Sequence, residues 1–361
     1  MRIGECFSAD YVTARGKFRD AAVEAGSAIA SYVNPAPSPI GAELVTDTAW
    51  LGPERPARLL IVMSGTHGVE GFCGSGIQVG LLRSGLASEL AGDTALLLIH
   101  AINPSGFALI RRVTESNIDL NRNFVEHDRA YPPNPGYERL RPALCLEKWD
   151  AKSREASAAV FTAFREKHGF REFQRAISLG QFTDRDGLFY GGRAPTWSNR
   201  TLRDIIARQV VGSRHVAFID LHSGLGPYGV GEINNNHVLG HGGYQRVKDW
   251  YGAEATSTEE GNSATTEVIG TVTVAFEQAL PPAALTGITL EFGTVPPLEL
   301  LEALRADNWL YRCGRPGNRQ ARAITADLRK VFYPDTDDWR SLVWERSVDV
   351  FQRTLKCLAG A

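Results

Sequence analysis

No apolar run in this sequence approaches the ~20 residues needed to cross a bilayer. Runs such as Leu59 to Met63 and Ala95 to Ile102 have the length of buried strands instead, so no transmembrane helix is expected and a membrane is excluded as a partner. An excess of charge of one sign is also missing. Lys and Arg number 39 against 41 Asp and Glu, a formal net charge of −2, and are scattered along the chain. Without a basic stripe there is nothing to hold nucleic acid or an anionic surface. Cysteine is scarce: Cys6, Cys73, Cys145, Cys313 and Cys357 are odd in number, far apart and never Cys-x-x-Cys, which reads as reduced thiols. The first ten residues, Met1 to Asp10, lack the apolar segment of a secretory signal, and a cytoplasmic protein is expected. Internal repeats and low-complexity segments are absent, and the Pro-rich stretches at 34–39 and 132–135 are too short to divide the chain.

What is present describes a globular chain, with 361 residues of which 43% are hydrophobic, enough for a sizeable core. Residues 10–33 carry apolar positions at helical spacing and run into Asn34-Pro35, where proline stops a helix. Leu59–Met63 and Ala95–His100 are continuous apolar runs with a helix-like stretch, Ile77 to Ala91, between them. That order predicts strand, helix, strand, the two strands parallel and buried on both faces. Val216–Leu221 and Gly287–Phe292 read as two further buried strands. Residues 144–174 and 198–210 read as helices inserted between core strands, and 298–313 and 339–358 as closing helices. The expectation is one α/β domain over residues 1–361: a central mixed, largely parallel twisted sheet flanked by helices, with a helical insertion at about 130–212.

The chemistry-bearing residues cluster at the ends of the apolar runs. After Met63 comes Ser64-Gly-Thr-His67-Gly-Val-Glu70-Gly. A His and a Glu three residues apart at the carboxyl end of a buried strand can aim an imidazole and a carboxylate at one point, as two ligands of a zinc ion do. A third ligand is suggested by Asp220-Leu-His222-Ser-Gly, where another buried run ends in a His, at the sheet edge where α/β proteins bind ligands. Asp220, two residues before, shares the same side of the strand. Glu291, inside Ile288-Thr-Leu-Glu-Phe292, is an ionisable group in apolar surroundings and a general-base candidate, or else the partner of a buried arginine. Arg111-Arg112 and Asn117-Ile-Asp119-Leu-Asn121-Arg122-Asn123-Phe124 supply the guanidinium forks that match a carboxylate. A competing reading of Gly74-x-Gly76-x-x-x-Gly80 as a dinucleotide-binding turn has the wrong spacing, and those glycines read as close helix packing.

Taken together, His67-x-x-Glu70, Asn103-Pro-x-Gly-Phe107, Arg112, Asp119-Leu-Asn-Arg-Asn-Phe124, Asp220-x-His222-Ser and Leu290-Glu291 resemble, in order and approximate spacing, the zinc metallocarboxypeptidases. Their superfamily also includes succinylglutamate desuccinylase and aspartoacylase. The segments Gly187–Gly192 and His222–Gly229 look like an uncharacterised bacterial branch of it. The resemblance spans about residues 59–295. It implies one Zn2+ per chain on His67, Glu70 and His222. Glu291 would then be the general base, Arg112 the residue that polarises the scissile carbonyl with Arg111 as its fallback, and Asn121 with Arg122 the clamp for a substrate carboxylate. The implied substrate is a small molecule or peptide with a free carboxylate, cleaved at the neighbouring amide by a carboxypeptidase or an N-acyl-amino-acid deacylase. A non-catalytic carboxylate-binding module is the other class.

The sequence departs from that pattern in three places. About 100 residues separate Asn121 from His222, roughly twice the expectation, and this insertion has room for a lid or a contact within a homo-oligomer. No tyrosine occurs in 265–274, where a mobile one is expected. Tyr228, Tyr244 and Tyr251 are substitutes without strong support. The chain after Glu291 reads as helical, whereas the small deacylases add a β-rich domain. His237 and His241 have a four-residue spacing that would suit a second metal on a helix, but the surrounding Asn and Gly residues predict a loop. Tyr190-Gly-Gly192 reads as a turn or as a wall of the cleft.

Overall fold

The computed structural model describes residues 2–86, 90–282 and 284–361. Its centre is one eight-stranded sheet formed by β1 (Ala28–Asn34), β2 (Leu44–Leu51), β3 (Arg58–Met63), β4 (Thr94–His100), β5 (His215–Gly224), β6 (Gly231–Asn235), β7 (Ala255–Thr256) and β8 (Leu285–Gly293). The spatial order is β1-β2-β4-β3-β5-β8-β6-β7. β4, β3, β5 and β8 run parallel. β2 adds antiparallel to β4, β1 to β2 and β6 to β8. The sheet is therefore mixed with a parallel centre.

The apolar runs are central because their side chains alternate between two helical layers. Leu60 and Val62 pack with Phe18 of α1 (Tyr11–Glu24), Phe72 and Ile77 of α2 (Gly71–Ser84) and Val343 of α12 (Asp337–Ala359). Leu59, Ile61 and Met63 face the opposite way, with Leu202 and Ile205 of α7 (Trp197–Ile205) and Phe276 of α9 (Thr273–Ala279). Each such buried side chain contributes about 1.5–3 kcal/mol relative to exposure. A third apolar cluster lies apart from these layers. It joins Tyr137 and Leu140 of α4 (Pro135–Leu144), Phe161 of α5 (Ala151–His168), Phe173 of α6 (Phe170–Ser178), Leu301 of α10 (Pro297–Cys313) and Phe332 of α11 (Arg319–Phe332). The short α3 (Pro104–Ala108) and α8 (Gly242–Tyr251) complete the named helices.

Several expectations need correction. The opening helix stops at Glu24, and residues 28–33 belong to edge strand β1. Gly26 at φ +73° breaks the helix, and Ile29-Ala-Ser-Tyr-Val33 pairs with β2. β2 itself had no sequence reading. The helix expected at Ile77–Ala91 begins six residues earlier, at Gly71, and closes at Ser84 on Gly85, φ +77°. Residues 87–89 of that expectation lie outside the described residues. The long helical stretch 144–174 starts on the last residue of α4, is not helical at 145–150, and beyond that divides into α5 and α6 at Gly169, φ +84°. None of the five cysteines is joined in a disulfide. Among the described residues no helix is long and apolar enough to cross a membrane.

Candidate metal centre

The strand order sets the place of the site. From β3 the chain turns through α2 to β4 on one side, then crosses to β5 on the other. The carboxyl ends of β3 and β5 therefore open a crevice at a topological switch point. His67 and Glu70 follow β3, and His222 lies near the end of β5. The tight turn between His67 and Glu70 depends on Gly68: a Cβ there would strike the backbone of Gly106 and Phe107. The same turn is pinned to the arginine loop, since Gly68 N donates to Arg112 O at 3.1 Å and Val69 N to Arg111 O at 2.9 Å.

The two imidazoles converge on one carboxylate. His67 Nδ1 lies 2.8 Å from Glu70 Oε1, and His222 Nδ1 lies 2.8 Å from Glu70 Oε2. The donor atoms of all three residues lie within 4.8 Å of one another, and all three side chains are buried. Each outer ring nitrogen meets a second carboxylate: His67 Nε2 is 3.1 Å from Asp119 Oδ1, and His222 Nε2 is 2.6 Å from Asp220 Oδ2. Asp220 is held in turn by the Thr66 hydroxyl at 2.8 Å. Asp119 accepts from Arg112 Nε at 3.0 Å and from Asn121 N at 3.0 Å. Arg112 also reaches Glu70 Oε1 at 3.2 Å.

Burial pushes Asp119 and Glu70 up, but the cations around them outweigh it. Asp119 is held well below the usual carboxylate range by Arg112, Arg122 and His67, and Glu70 is lowered by the two histidines. Burial disfavours charge on His222, yet Asp220 and Glu70 raise it well above the ordinary histidine value. Glu291 differs from Glu70 and Asp119. Burial first, then the charge of Glu70, pushes it up to about 8, against the pull of His222. Its Oε1 accepts from Leu225 N at 3.0 Å.

His67, Glu70, Arg112, Asp220, His222 and Glu291 line a cavity of about 170 Å³, together with Asn121 and Arg122. Arg122 is buried, its Nε bonded to Ser178 O at 2.9 Å and its Nη1 to Asn121 O at 3.0 Å. Burial lowers it to about 10, against the pull of Asp119. Asn121 Oδ1 accepts from Val272 N at 2.9 Å. Arg111 goes elsewhere. Its guanidinium is forked onto Asp307 at 3.0–3.1 Å and bonded to Asn117, outside the cavity lining. Adjacent residues thus have divergent partners, and Arg111 does not stand beside Arg112 at the site.

Some contributors carried no assigned role in the sequence. Asp119 and Thr66 were part of motifs without a task, and the support role of Asp220 was open. The ring over the arginines is Phe189, not its neighbour Tyr190: its centroid is 5.5 Å from the Arg112 guanidinium carbon and 5.6 Å from that of Arg122. Phe189 has φ +53°, a left-handed conformation uncommon outside glycine. No tyrosine lines the cavity among the described residues. Tyr228 bonds Thr336 and Asp338, Tyr244 bonds Glu260, and Tyr251 bonds Thr354.

His237, His241 and Glu277 form a second cluster with donors within 4.8 Å, but its protonation is already committed. His237 Nε2 accepts from Gly287 N at 2.8 Å, so the ring proton lies on Nδ1 and donates to Glu277 at 2.8 Å. Binding a cation through Nδ1 would move that proton to Nε2, against the Gly287 N–H. The cluster reads as structural.

A parallel-centred α/β sheet with two histidines and a glutamate gathered at its switch point defines an α/β protein built around a metal-type ligand set. Within that class the chain belongs to the family described as "Protein of unknown function (DUF2817)", whose model matches residues 7–346. No curated protein matches it. Among solved structures it is similar to carboxypeptidase A from Helicoverpa armigera, at 12% identity over 91% of this chain and 75% of that one, with a TM-score of 0.45. It is also similar to the succinylglutamate desuccinylase from Chromobacterium violaceum, at 16% identity over 89% and 74%, with a TM-score of 0.35. A third likeness is the murein-tripeptide amidase MpaA from Escherichia coli O157, at 18% identity over 80% and 93%, with a TM-score of 0.31.

Proposed function

We propose that this chain is a zinc-dependent hydrolase that cleaves an amide bond next to a free carboxylate. The observation that carries the reading is the convergence of His67, Glu70 and His222 beside Glu291, whose carboxyl is pushed up to about 8. The donor set fits a cation. An imidazole whose two nitrogens both face carboxylates, as in both rings here, needs positive charge, supplied either by a second proton or by a metal ion. Two imidazoles and one carboxylate are a set that zinc takes, and outer carboxylates that fix the rings are the usual support of such ligands. His67, Glu70 and His222 would hold one Zn2+ per chain, which supplies Lewis acidity and lowers the pKa of water to about 7.

The protein's own groups do the rest. Glu291 takes a proton from the attacking water at its carboxylate and hands it to the leaving amine nitrogen. Arg112, held by Asp119 and Glu70, faces the oxyanion that develops at the carbonyl. Arg122 and Asn121 hold the substrate carboxylate through the N–H groups left after their bonds within the protein.

The test is the metal content of purified protein by elemental mass spectrometry, with hydrolysis of N-acyl-amino acids and short peptides. About one zinc per chain, lost in His67→Ala and His222→Ala, is expected. Absence of zinc after reconstitution, or turnover indifferent to chelation, would overturn the proposal.

A further inference from the structure

Beyond the ligands, the cavity reaches a second row of side chains on the same face of the sheet. Strand register aligns Asp220 of β5 with Thr289 of β8, and Thr289 with Asn234 of β6. This row lies one step from the row of His222 and Glu291. Thr289 and Asn234 both line the cavity, as do Asn236, Thr265 and Thr266. Within the row Asp220 is committed to Thr66 and His222, and beyond it Thr289, Asn234, Asn236, Thr265 and Thr266 are uncharged.

A chain of hydrogen bonds fixes how Asn234 is turned. The Glu232 carboxylate can only accept, and it accepts from Ser263 Oγ at 2.6 Å. The Ser263 hydroxyl proton is therefore committed, so the contact of 2.9 Å between Ser263 Oγ and Thr265 Oγ1 is donated by Thr265. Thr265 Oγ1 then has only acceptor capacity left, and Asn234 Nδ2 donates to it at 3.0 Å. The amide nitrogen of Asn234 is thus anchored and its Oδ1 points elsewhere. That oxygen has no hydrogen-bond partner although Asn234 is only 9% exposed. A buried acceptor left unpaired is costly, and a donor from a ligand removes the cost. Beside it, Asn236 accepts the Thr289 hydroxyl at 2.8 Å through Oδ1, which leaves its Nδ2 as a donor.

The same segment joins this wall to the carboxylate clamp. Thr266 Oγ1 lies 2.9 Å from Ser178 Oγ, while Ser178 O holds Arg122 Nε at 2.9 Å, and Val272 N holds Asn121 Oδ1 at 2.9 Å. Hydrogen bonds thus tie segment 265–272 both to Asn234 and to the residues of the clamp.

We infer that Asn234, with Asn236, forms a specificity subsite for an uncharged side chain that both donates and accepts hydrogen bonds, a carboxamide, on the amino acid that carries the free carboxylate. The inference rests on the hydrolase reading for the position of the clamp. A site built to satisfy a hydrogen-bonding group rejects an analogue lacking it strongly, because its own polar atoms are left unpaired.

Binding and turnover are measured separately so that the two readings can fail separately. Calorimetric titration of the protein with N-acetyl-L-glutamine, N-acetyl-L-leucine, N-acetyl-L-glutamate and N-acetyl-L-lysine is expected to show the first binding about tenfold or more tighter than the others. In Asn234→Leu the advantage over the leucine derivative should vanish, and in Asn234→Asp the lysine derivative should gain. Equal or tighter binding of the leucine derivative, or a glutamine preference that survives Asn234→Leu, overturns the subsite. Selective binding without hydrolysis of any derivative leaves the subsite standing and counts against the hydrolase. Hydrolysis without carboxamide preference does the reverse.

Discussion

His222 is held between two carboxylates, its Nε2 2.6 Å from Asp220 Oδ2 and its Nδ1 2.8 Å from Glu70 Oε2. The outer contact fixes the ring and leaves Nδ1 as the atom offered to the site. Asp220→Asn keeps the shape but removes the charge that orients and polarises the ring. Metal affinity is expected to fall about 10–100-fold, read by competitive titration against a chelating dye. An unchanged affinity would show that Asp220 has no such role.

Glu291 is raised, whereas Glu70 and Asp119 are lowered. Glu291→Gln keeps the Leu225 contact and loses the proton acceptor. Turnover should drop by about 10²–10⁴-fold while metal content stays the same. Turnover close to the parent protein would sink the general-base role.

Arg111 and Arg112 differ by one position and by all their partners, so their substitutions should differ in kind. Arg112→Gln removes a group of the cavity, and kcat/KM should fall by about 10²-fold or more. Arg111→Gln breaks the fork onto Asp307 and should cost about 1–3 kcal/mol of stability, with kcat/KM changed less than in Arg112→Gln. Equal losses of activity in the two variants would contradict this division.

Gly68 lies between two of the proposed ligands, and a methyl group there meets the backbone of Gly106 and Phe107. Neither wall can rotate away as a side chain would. Gly68→Ala is expected to cost about 3 kcal/mol or more and to lose metal, whereas Gly16→Ala, with open space around it, should do neither. Chemical denaturation with a parallel metal assay checks both.

His100 is fully buried, stacked on Phe18 with ring centroids 4.4 Å apart, and its Nε2 is 2.9 Å from Ser75 Oγ. Burial lowers it from 6.5 to about 4. Between these values the unfolded chain binds the proton that the folded chain refuses, so stability falls as pH drops from about 6.5 to about 4, by about 3 kcal/mol, and flattens below. Urea midpoints at pH 7 and pH 4.5 should show this loss. His100→Gln, which keeps a partner for Ser75, should reduce the slope, and an unaltered slope would exclude His100 as its source.

Much of the site was legible because its side chains sit at the ends of continuous apolar runs. Such runs are strands buried on both faces, and their carboxyl ends meet at one edge whatever the loops do. On that basis His67, Glu70 and His222 could be read as candidates at one sheet edge, while their grouping with Glu291 as a base came from the resemblance to the zinc metallocarboxypeptidases. The edges of the sheet were less legible. Ala28–Asn34 is half exposed and carries helix-compatible residues, and only its pairing with Leu44–Leu51 makes it a strand.

The sequence by itself determined the central parallel sheet and the residue types gathered at its switch point, because period and burial of the strands follow from local hydrophobic pattern. The tertiary structure decided which polar groups complete the site. Asp119 stands behind His67 across 52 positions, Asp307 draws Arg111 away across 196, and Thr265 anchors Asn234 across 31. Hydrogen bonds and ion pairs act over about 3 Å and are indifferent to sequence separation, so their partners are chosen by where the folded backbone brings them.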